Sequence, residues 1–176
     1  MSRERPALTP LTPRATDIVS AARALVEDEG REALTMRVLA GRLGIRAPSL
    51  YKHFPDKAAL EAALIERSLA ELGEVLHAAL AEPEPVAAVL RRYRESAVAS
   101  PNMYRLATAG PLARERLAPG LEDWSGEPFF LATGDPYRAQ ALWSFAHGMV
   151  ILEIDGRFPG GSDLDRTWAE GARAFS

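Results

Sequence analysis

The stretch that decides the fold is Thr35–Lys57, which reads TMRVLAGRLGIRAPSLYKHFPDK. The threonine that opens it is a good N-cap for a short helix. Gly44 ends that helix, because glycine adopts a left-handed backbone without strain, and an isoleucine follows as an apolar plug for the turn. A second short helix begins near Pro48, since proline suits the first turn of a helix. The stretch therefore predicts two short helices joined by a tight turn.

Each of these two helices presents one apolar face. On the first, Val38, Leu39 and Leu43 are spaced to pack inward, and on the second Leu50 and Phe54 lie four residues apart on one side. The polar side chains of the second helix fall largely on its other faces: Arg46, Ser49, Lys52 and His53. This arrangement predicts a helix-turn-helix, in which one face packs and the other meets the DNA major groove.

The alternative interpretation of this stretch is an ordinary helical hairpin with a solvated polar face. The short spacing and the glycine turn favour the helix-turn-helix instead. The distribution of lysine agrees, because the only two lysines of the 176-residue chain, Lys52 and Lys57, both lie here.

The same residues resemble the DNA-binding domain of TetR-type bacterial repressors, over roughly residues 14–65. In that family the second helix opens with threonine, the turn is Leu-Gly-Val/Ile, and the recognition helix ends in Leu-Tyr-x-His-Phe, here Leu50–Phe54. A lysine follows at the start of the next helix, here Lys57. The resemblance implies a transcriptional regulator, generally a repressor, that binds double-stranded operator DNA.

We expect the exposed side of the second helix to read base edges. Arg46 and Lys52 suit guanine edges, and Arg37 from the preceding helix lies close by. Ala47 and Pro48 offer only apolar contact, as to a thymine methyl group. Backbone phosphates suit hydroxyls, a ring nitrogen, an ammonium and helix N-termini. The residues expected there are Thr35, Ser49, Tyr51, His53 and, by the resemblance, Lys57.

Composition and charge agree with a regulator that meets DNA at one end. Residues 1–57 hold ten Lys/Arg and seven Asp/Glu, a net charge of +3, whereas residues 58–176 hold eleven and seventeen, a net charge of −6. Such asymmetry is expected when only one end of a chain meets phosphate. There is no cysteine, which excludes disulfides and thiolate metal sites.

No segment predicts a membrane span or a signal peptide. The longest uncharged run, residues 139–152, is too short to cross a bilayer, and the N-terminus lacks an apolar core. We therefore expect a cytoplasmic protein that makes no membrane contact.

The helical periodicity along the chain predicts an all-α fold. A three-helix helix-turn-helix domain spans residues 14–57, and residues 58–176 form a larger helical domain for effector binding and dimerisation. A long connecting helix covers about 57–81. Residues 110–135 are rich in glycine and proline and predict short helical turns and loops.

Residues 1–13 contain three prolines and predict a flexible N-terminal arm. Its neighbouring cations, Arg3, Arg5 and Arg14, could touch phosphate or a minor groove. A solvated tail is the favoured interpretation.

The helix expected over residues 137–154 is apolar on most of its circumference, so it must be covered on several sides. We expect a second copy of the chain to supply part of that cover. The residues expected at this dimer interface are Phe145, Met149, Leu152 and Trp168. In the TetR family the last two helices usually form a four-helix bundle across a two-fold axis, which implies a homodimer suited to a pseudopalindromic operator.

The Trp143-x-x-x-His147-Gly148 pattern resembles a C-terminal regulatory domain of one TetR branch, named WHG for its Trp and His-Gly residues. The resemblance favours a small-molecule effector pocket. Most of the candidate residues also suit a hydrophobic core, and we expect Trp143 to be buried there. The residues expected to line the pocket are Met103, Tyr104, Phe129, Trp143 and His147. His147 has no His, Cys or well-spaced carboxylate beside it, so a metal or catalytic role is disfavoured.

Two interpretations fit the four arginines Arg91, Arg92, Arg94 and Arg105. They could bind an anionic effector, but a solvated arginine-rich face is favoured. Catalytic motifs are missing: the sequence has no nucleophile elbow, no phosphate-cradling glycine loop and no His-Glu-x-x-His. We expect no cofactor. Three functions remain open, namely a ligand-responsive repressor, which is favoured, an effector-independent DNA-binding regulator, and a helical enzyme or protein-interaction module.

Overall fold

The computed structural model describes residues 4–176, and every regular element among them is helical, which confirms the expected all-α fold. The helices are α1 (Pro13–Glu29), α2 (Met36–Arg42), α3 (Ala47–Tyr51), α4 (Lys57–Ala79), α5 (Pro85–Ala99), α6 (Pro101–Thr108), α7 (Leu121–Thr133), α8 (Pro136–Ile154) and α9 (Leu164–Phe175). Two 3₁₀ turns lie at Arg31–Ala33 and Arg114–Arg116. Across residues 4–176, no helix has both the length and the apolar character that crossing a membrane requires.

Local sequence explains where the first helices begin and end. Thr12 Oγ1 accepts a hydrogen bond from a backbone N–H in the first turn of α1 (3.2 Å), and Pro13 follows it. Thr35 Oγ1 accepts from the N–H of Val38 at the start of α2 (3.1 Å). Gly44, at φ +64°, turns the chain between α2 and α3. The threonine cap and the glycine turn expected from the sequence are confirmed.

The chain divides into two compact units. The helix-turn-helix unit contains Pro6–Leu69 and Ser100–Leu121. The C-terminal unit contains Ala70–Ala99 and Glu122–Ser176, together with Glu4 and Arg5. This division differs from the sequence-based boundary at residue 57, because residues 58–69 and 100–121 belong with the helix-turn-helix.

The packing of α6 on α1 accounts for that difference. Met103 and Leu106 of α6 are buried in the apolar core of the helix-turn-helix unit. Glu27 of α1 fixes the start of α6, because its Oε1 accepts from the Met103 N–H (3.1 Å) and its carbonyl oxygen accepts from Asn102 Nδ2 (2.9 Å). These contacts join residues about 75 positions apart, so no local sequence pattern predicts them.

The N-terminal segment has fixed contacts at Thr9, where the sequence indicated a flexible arm. The Glu66 carboxylate accepts from Thr9 Oγ1 (2.8 Å) and from the Thr9 N–H (3.3 Å). Arg67 Nη2 donates to the Thr9 carbonyl oxygen (3.1 Å). A capping threonine follows at Thr12, so this segment is tied to α4 and leads directly into α1.

The arginines near the N-terminus are ion-paired rather than free. Arg5 pairs with Glu74, and Arg14 pairs with Asp17 one turn further along α1 (3.7 Å). Arg3, the third arginine expected to reach DNA, lies outside the described residues.

Helix α7 is 13 residues long and occupies a region where the sequence predicted short helical turns and loops, so that expectation is wrong for residues 121–133. Pro128 lies inside α7 and lacks the N–H that would bond to the carbonyl oxygen of Trp124. His77 of α4 replaces it, because its Nε2 lies 3.0 Å from that oxygen and its ring stacks on the indole (4.7 Å between centroids). Gly73 lets the indole approach, since a Cβ there would be 2.3 Å from the ring.

Helices α8 and α9 pack closely through one aromatic side chain. Gly171 of α9 lies against Phe145, and a Cβ on that glycine would be 2.1 Å from the phenyl ring. Phe145 also meets Trp168 edge-on, with 5.7 Å between ring centroids. Met149 and Trp168 are both buried. The aromatic side of α8 is therefore covered by α9 of the same chain.

Candidate nucleic-acid interface

Helix α3 is short and is held by two buried side chains. Leu50 and Phe54 are both buried, as expected from their spacing. The helix ends at Tyr51, but the N–H groups of His53 and Phe54 still donate to the Leu50 carbonyl oxygen (2.9 and 3.0 Å). The segment from Arg46 to Phe54 thus stays ordered against the core while its other side faces solvent.

None of the ten residues expected to contact DNA is buried. The exposed ones are Thr35, Arg37, Arg46, Pro48, Tyr51 and Lys52, and the half-buried ones are Ala47, Ser49, His53 and Lys57. Thr35 already accepts the capping hydrogen bond of α2, so its hydroxyl hydrogen is what it can offer to another group.

Three cations of the helix-turn-helix keep their charge unneutralised by neighbours. Within residues 4–176, Arg37, Arg46 and Lys52 form no ion pair and donate no side-chain hydrogen bond. Arg42, on the last turn of α2, differs because it pairs with Asp28 (2.9 Å). An exposed cation without a carboxylate partner can bind phosphate or a base edge without first breaking another contact.

Lys57 shares a carboxylate with an arginine that the sequence analysis missed. Its Nζ lies 3.5 Å from Glu61 Oε1 and donates to the Arg31 carbonyl oxygen (3.3 Å). Arg31 holds Glu61 through two parallel hydrogen bonds, from Nε and Nη2, each 3.1 Å long. The hydrogen bonds to Glu61 raise the pKa of Arg31 above its usual range. The four-residue spacing of Lys57 and Glu61 could have indicated their pairing, whereas nothing local indicated Arg31.

Val38 was expected on the packed face of α2, and this expectation is wrong. Its side chain is 43% exposed, whereas its neighbour Leu39 is fully buried. Adjacent residues on a helix point about 100° apart, so a narrow contact buries only one of them. Val38 and Tyr51 therefore add exposed apolar surface to the helix-turn-helix.

The five residues expected to line an effector pocket fall in different units. Met103 and Tyr104 are buried in the helix-turn-helix unit, whereas Phe129, Trp143 and His147 belong to the C-terminal unit. Phe129 is buried and lies edge-on to Tyr93, with 5.5 Å between ring centroids.

Trp143 is 48% exposed, which corrects the expectation that it is buried. Its ring stacks on His147 one turn later, with 6.0 Å between centroids. Partial burial lowers the pKa of His147 below its usual range. Gly148 follows, and a Cβ there would meet nothing within 4 Å. The Trp, His and Gly of this pattern thus border open space on α8.

The arginines of α5 are engaged with acids, in agreement with a solvated ionic face. Arg94 donates to Glu153 through Nε and Nη2 (2.9 and 2.8 Å) and also pairs with Asp165. These contacts raise the pKa of Arg94, chiefly through the hydrogen bonds to Glu153. Trp168 Nε1 donates to the same Glu153 carboxylate (3.1 Å). This cluster borders a groove of about 720 Å³ between α5 and α9.

The residues expected at a dimer interface are not equally available. Met149 and Trp168 are buried inside the subunit, and Phe145 is half-buried against α9. Side chains enclosed in this way offer little surface to a partner, and their placement at an interface stays a prediction. Leu152 differs, since its side chain is 42% exposed.

An N-capped α2, a glycine turn and a short α3 flanked by exposed cations define a helix-turn-helix DNA-binding transcriptional regulator. The family described as bacterial regulatory proteins, tetR family, matches residues 18–64. The chain belongs to the TetR family.

Relatives with known sequences or structures agree. The uncharacterized HTH-type transcriptional regulator Rv0681 of Mycobacterium tuberculosis (strain ATCC 25618 / H37Rv) is 31% identical over 157 residues, covering 79% of this chain and 69% of that protein. The tetracycline repressor protein class A from transposon 1721 of Escherichia coli is 48% identical over 54 residues, covering 31% of this chain and 25% of that protein. A protein with unknown function from Rhodococcus sp. RHA1 shares the fold, with a TM-score of 0.80 and 22% identity over 93% of this chain and 94% of that chain.

Proposed function

We propose that the protein is a ligand-responsive transcriptional repressor that acts in the cytoplasm and binds a pseudopalindromic operator as a homodimer. The observation that carries this proposal is the set of three exposed cations, Arg37, Arg46 and Lys52, that no carboxylate among residues 4–176 neutralises. The family supports it, because TetR-family regulators typically bind DNA as dimers and respond to small molecules.

Base reading in this proposal falls to the exposed side of α3. Arg46 precedes the helix and Lys52 follows it, so the two cations flank a short apolar stretch formed by Ala47 and Pro48. Arginine and lysine pair with guanine O6 and N7, whereas apolar side chains contact the thymine methyl group. Arg37 supplies a further cation from α2. The half-site would then combine a guanine with a neighbouring thymine.

Phosphate contacts would position this reading face on the duplex. Thr35, Ser49, Tyr51 and His53 carry hydroxyls or a ring nitrogen and are exposed or half-buried around α3. Lys57 supplies an ammonium at the start of α4. Such contacts carry no sequence information but fix register and orientation.

Dimerisation is assigned to one stripe of α8, here called the α8 stripe. Its members lie three or four residues apart on one side of the helix and are exposed or half-buried: Gln140, Ala141, Ser144, Gly148, Ile151 and Leu152. Small side chains let two helices approach closely, and the open space beside Gly148 leaves room for a partner helix. A two-fold dimer would place two recognition helices in successive major grooves, about 34–36 Å apart.

Effector binding is assigned to the C-terminal unit. Phe129, Trp143 and His147 are its expected contacts, in keeping with the resemblance of the Trp and His-Gly pattern to the WHG type. Met103 and Tyr104 are withdrawn from the proposed pocket, because both are buried in the other unit. The groove between α5 and α9, at about 720 Å³, also has a volume that suits a small molecule, but its lining includes Arg94 and Trp168 and none of the three expected contacts.

Selection of duplexes from a random DNA library tests the DNA-binding part. We expect the wild-type protein to recover an inverted repeat and the triple variant Arg37→Ala, Arg46→Ala, Lys52→Ala to recover none. The matched control is Arg91→Ala, Arg92→Ala, Arg173→Ala, which removes the same charge from ion-paired arginines and should recover the wild-type sequence. Equal recovery by the two triple variants would contradict the proposed site.

Operator release tests the ligand-responsive part. Compounds that raise the melting temperature of the protein are added to the complex with the selected operator, and release is followed by fluorescence anisotropy. A repressor of this kind loses operator affinity when an effector binds, because the effector favours one dimer geometry. If stabilising compounds leave the complex intact, the effector-independent regulator replaces this proposal. If wild-type protein selects no DNA, the helical enzyme or protein-interaction module replaces this proposal.

A further inference from the structure

The start of α4 lies within a line of alternating charges. Arg31 is bound to Glu61, which also lies 3.5 Å from Lys57. Asp56, immediately before Lys57, pairs with Arg116 at 3.4 Å. The line therefore contains three cations and two carboxylates and has a net charge of +1. Two of its cations come from outside the helix-turn-helix motif: Arg31 from the 3₁₀ turn after α1, and Arg116 from the 3₁₀ turn after α6.

Arg116 is brought to α4 by a buried anchor close behind it. The N–H of Ala118 donates to Glu66 Oε1 of α4 (2.9 Å). Glu66 is only 1% exposed, and the same carboxylate holds Thr9 and Arg67. A buried carboxylate with this many donors fixes the backbone that it binds. The segment that carries Arg116 is thus fastened along the first half of α4 rather than loosely attached.

We propose that Arg31 and Arg116 extend the phosphate contact of Lys57 into one continuous surface for the DNA backbone. This inference rests on the proposed function, because it extends the same DNA-binding face. The partner is double-stranded DNA, recognised through its phosphates and not through its bases. Glu66 is a positioning residue in this surface, since it holds the segment that delivers Arg116.

The ion pairs of this line are compatible with phosphate binding. Arg116 and Asp56 are both substantially exposed, so their attraction is screened by water and is easily exchanged for a phosphate. Asp56 remains in place after the exchange, because its Oδ1 also accepts from the N–H of Ala59 (2.6 Å) at the start of α4. Glu61 keeps Arg31 and Lys57 side by side, so both cations can contact neighbouring phosphates.

The salt dependence of DNA binding tests the inference. Dissociation constants are measured by fluorescence anisotropy across a salt series, for the selected operator and for a scrambled duplex of equal length. The variants are Arg31→Ala, Arg116→Ala and Lys57→Ala, with Arg173→Ala as the control, because that arginine is also exposed and paired with a carboxylate but lies on α9. Each lost phosphate contact should lower the slope of log K against log salt by about 0.9 per subunit.

We expect Arg31→Ala and Arg116→Ala to lower the slope on both duplexes alike, and Arg116→Lys to restore it, since phosphate binding needs the charge. Arg173→Ala should keep the wild-type slope. If the alanine variant of Arg31 or of Arg116 also keeps it, that arginine does not belong to the phosphate surface. If both variants keep it, the inference is wrong. Melting curves identify any variant that is unfolded. If Arg116→Ala is unfolded, the charge-neutral Arg116→Gln takes its place. Failure of wild-type protein to bind either duplex would instead reject the proposed function.

Discussion

The cations of the helix-turn-helix and the arginines of α5 are equally prominent in the sequence, but their surroundings differ. Arg37 and Arg46 have no carboxylate partner among the described residues. On α5, Arg92 pairs with Glu95 (3.0 Å) and Arg94 with Glu153 (2.8 Å). An anion arriving at α5 would have to displace a carboxylate, whereas one arriving at α3 would displace only water. For these two helices, the availability of a cation, and not its presence, separates the proposed base-reading surface of α3 from the ion-paired surface of α5.

The same two regions also differ in their exposed apolar surface. In the C-terminal unit, α8 exposes Trp143 and Leu152 beside the small residues of the α8 stripe. In the helix-turn-helix unit, the exposed Val38 and Tyr51 lie among cations instead. Apolar surface among small residues suits another protein surface, and apolar surface among cations suits the methyl groups and sugars of DNA.

The largest effect is expected from placing a charge on the exposed apolar surface of α8. Leu152→Arg should give a monomer, because a buried arginine without a partner is costly in a helix interface. Operator affinity should then fall toward the nonspecific level, a loss of about 10³-fold or more. Analytical ultracentrifugation measures the mass, and Val98→Arg is the control, since Val98 is exposed to a similar extent on α5. Wild-type protein that is already monomeric at micromolar concentration would reject the dimer.

The next effect separates the two sets of arginines directly. Arg46→Ala should weaken operator binding by about 1–3 kcal/mol per half-site and relax the preference at one base position. Arg92→Ala removes the same charge from an ion-paired position and should leave operator binding unchanged. Anisotropy titrations over single-base operator variants measure both. Equal losses in the two variants would mean that total charge, and not an available cation, governs recognition.

Stability should show the opposite pattern. Arg94→Ala leaves the mostly buried Glu153 carboxylate with the Trp168 N–H as its remaining hydrogen-bond donor among the contacts described above. Loss of one partner from such a group should lower the free energy of unfolding by about 1–3 kcal/mol. Arg46→Ala should change it by less than about 0.5 kcal/mol, since an exposed side chain with no partner is removed. Urea unfolding of both variants provides the measurement, and a larger loss for Arg46→Ala would reverse the comparison.

The smallest effect concerns the partly buried imidazole of His147 in the C-terminal unit. Burial lowers the pKa of folded His147 below the value of about 6.5 expected in the unfolded chain. Well above pH 6.5 the ring is neutral in both states, so its contribution to the free energy of unfolding is complete. As the pH falls through about 6.5 the unfolded chain binds the proton first, and the free energy of unfolding falls. The slope should be a fraction of about 1.4 kcal/mol per pH unit, because the ring is partly solvated.

His147→Gln serves as the matched variant for this last measurement. Wild-type protein should lose more free energy of unfolding between pH 7.5 and pH 5.5 than the variant does. Identical losses in the two proteins would mean that His147 keeps its ordinary pKa.

Much of the recognition region could be predicted because its signals are local. The Thr35 cap, the Gly44 turn and the burial of Leu50 and Phe54 each depend on residues within one or two turns. Local signals did not predict the exposure of Val38. Its apolar side chain is exposed, whereas the neighbouring Leu39 is buried. Periodicity locates an apolar face well but does not fix its edges.

The remaining features depend on contacts far apart in the chain. Helix α7 was missed because Pro128 normally ends a helix, and the donor that compensates, His77, lies in another helix. Arg31 was missed for the same reason, since Glu61 reaches it from α4. Trp143 was misplaced because hydrophobicity alone does not tell a core position from an exposed one.

The contact of His77 with the Trp124 carbonyl oxygen also constrains the order in which the chain can change. An alanine at position 128 would supply the missing N–H, and residue 77 could then vary without stranding a carbonyl oxygen. While Pro128 is present, loss of the histidine first removes the contact that replaces the missing N–H. Substitution of Pro128 before His77 should therefore be tolerated, whereas substitution of His77 before Pro128 should not. The effects of the two substitutions on the free energy of unfolding should not add.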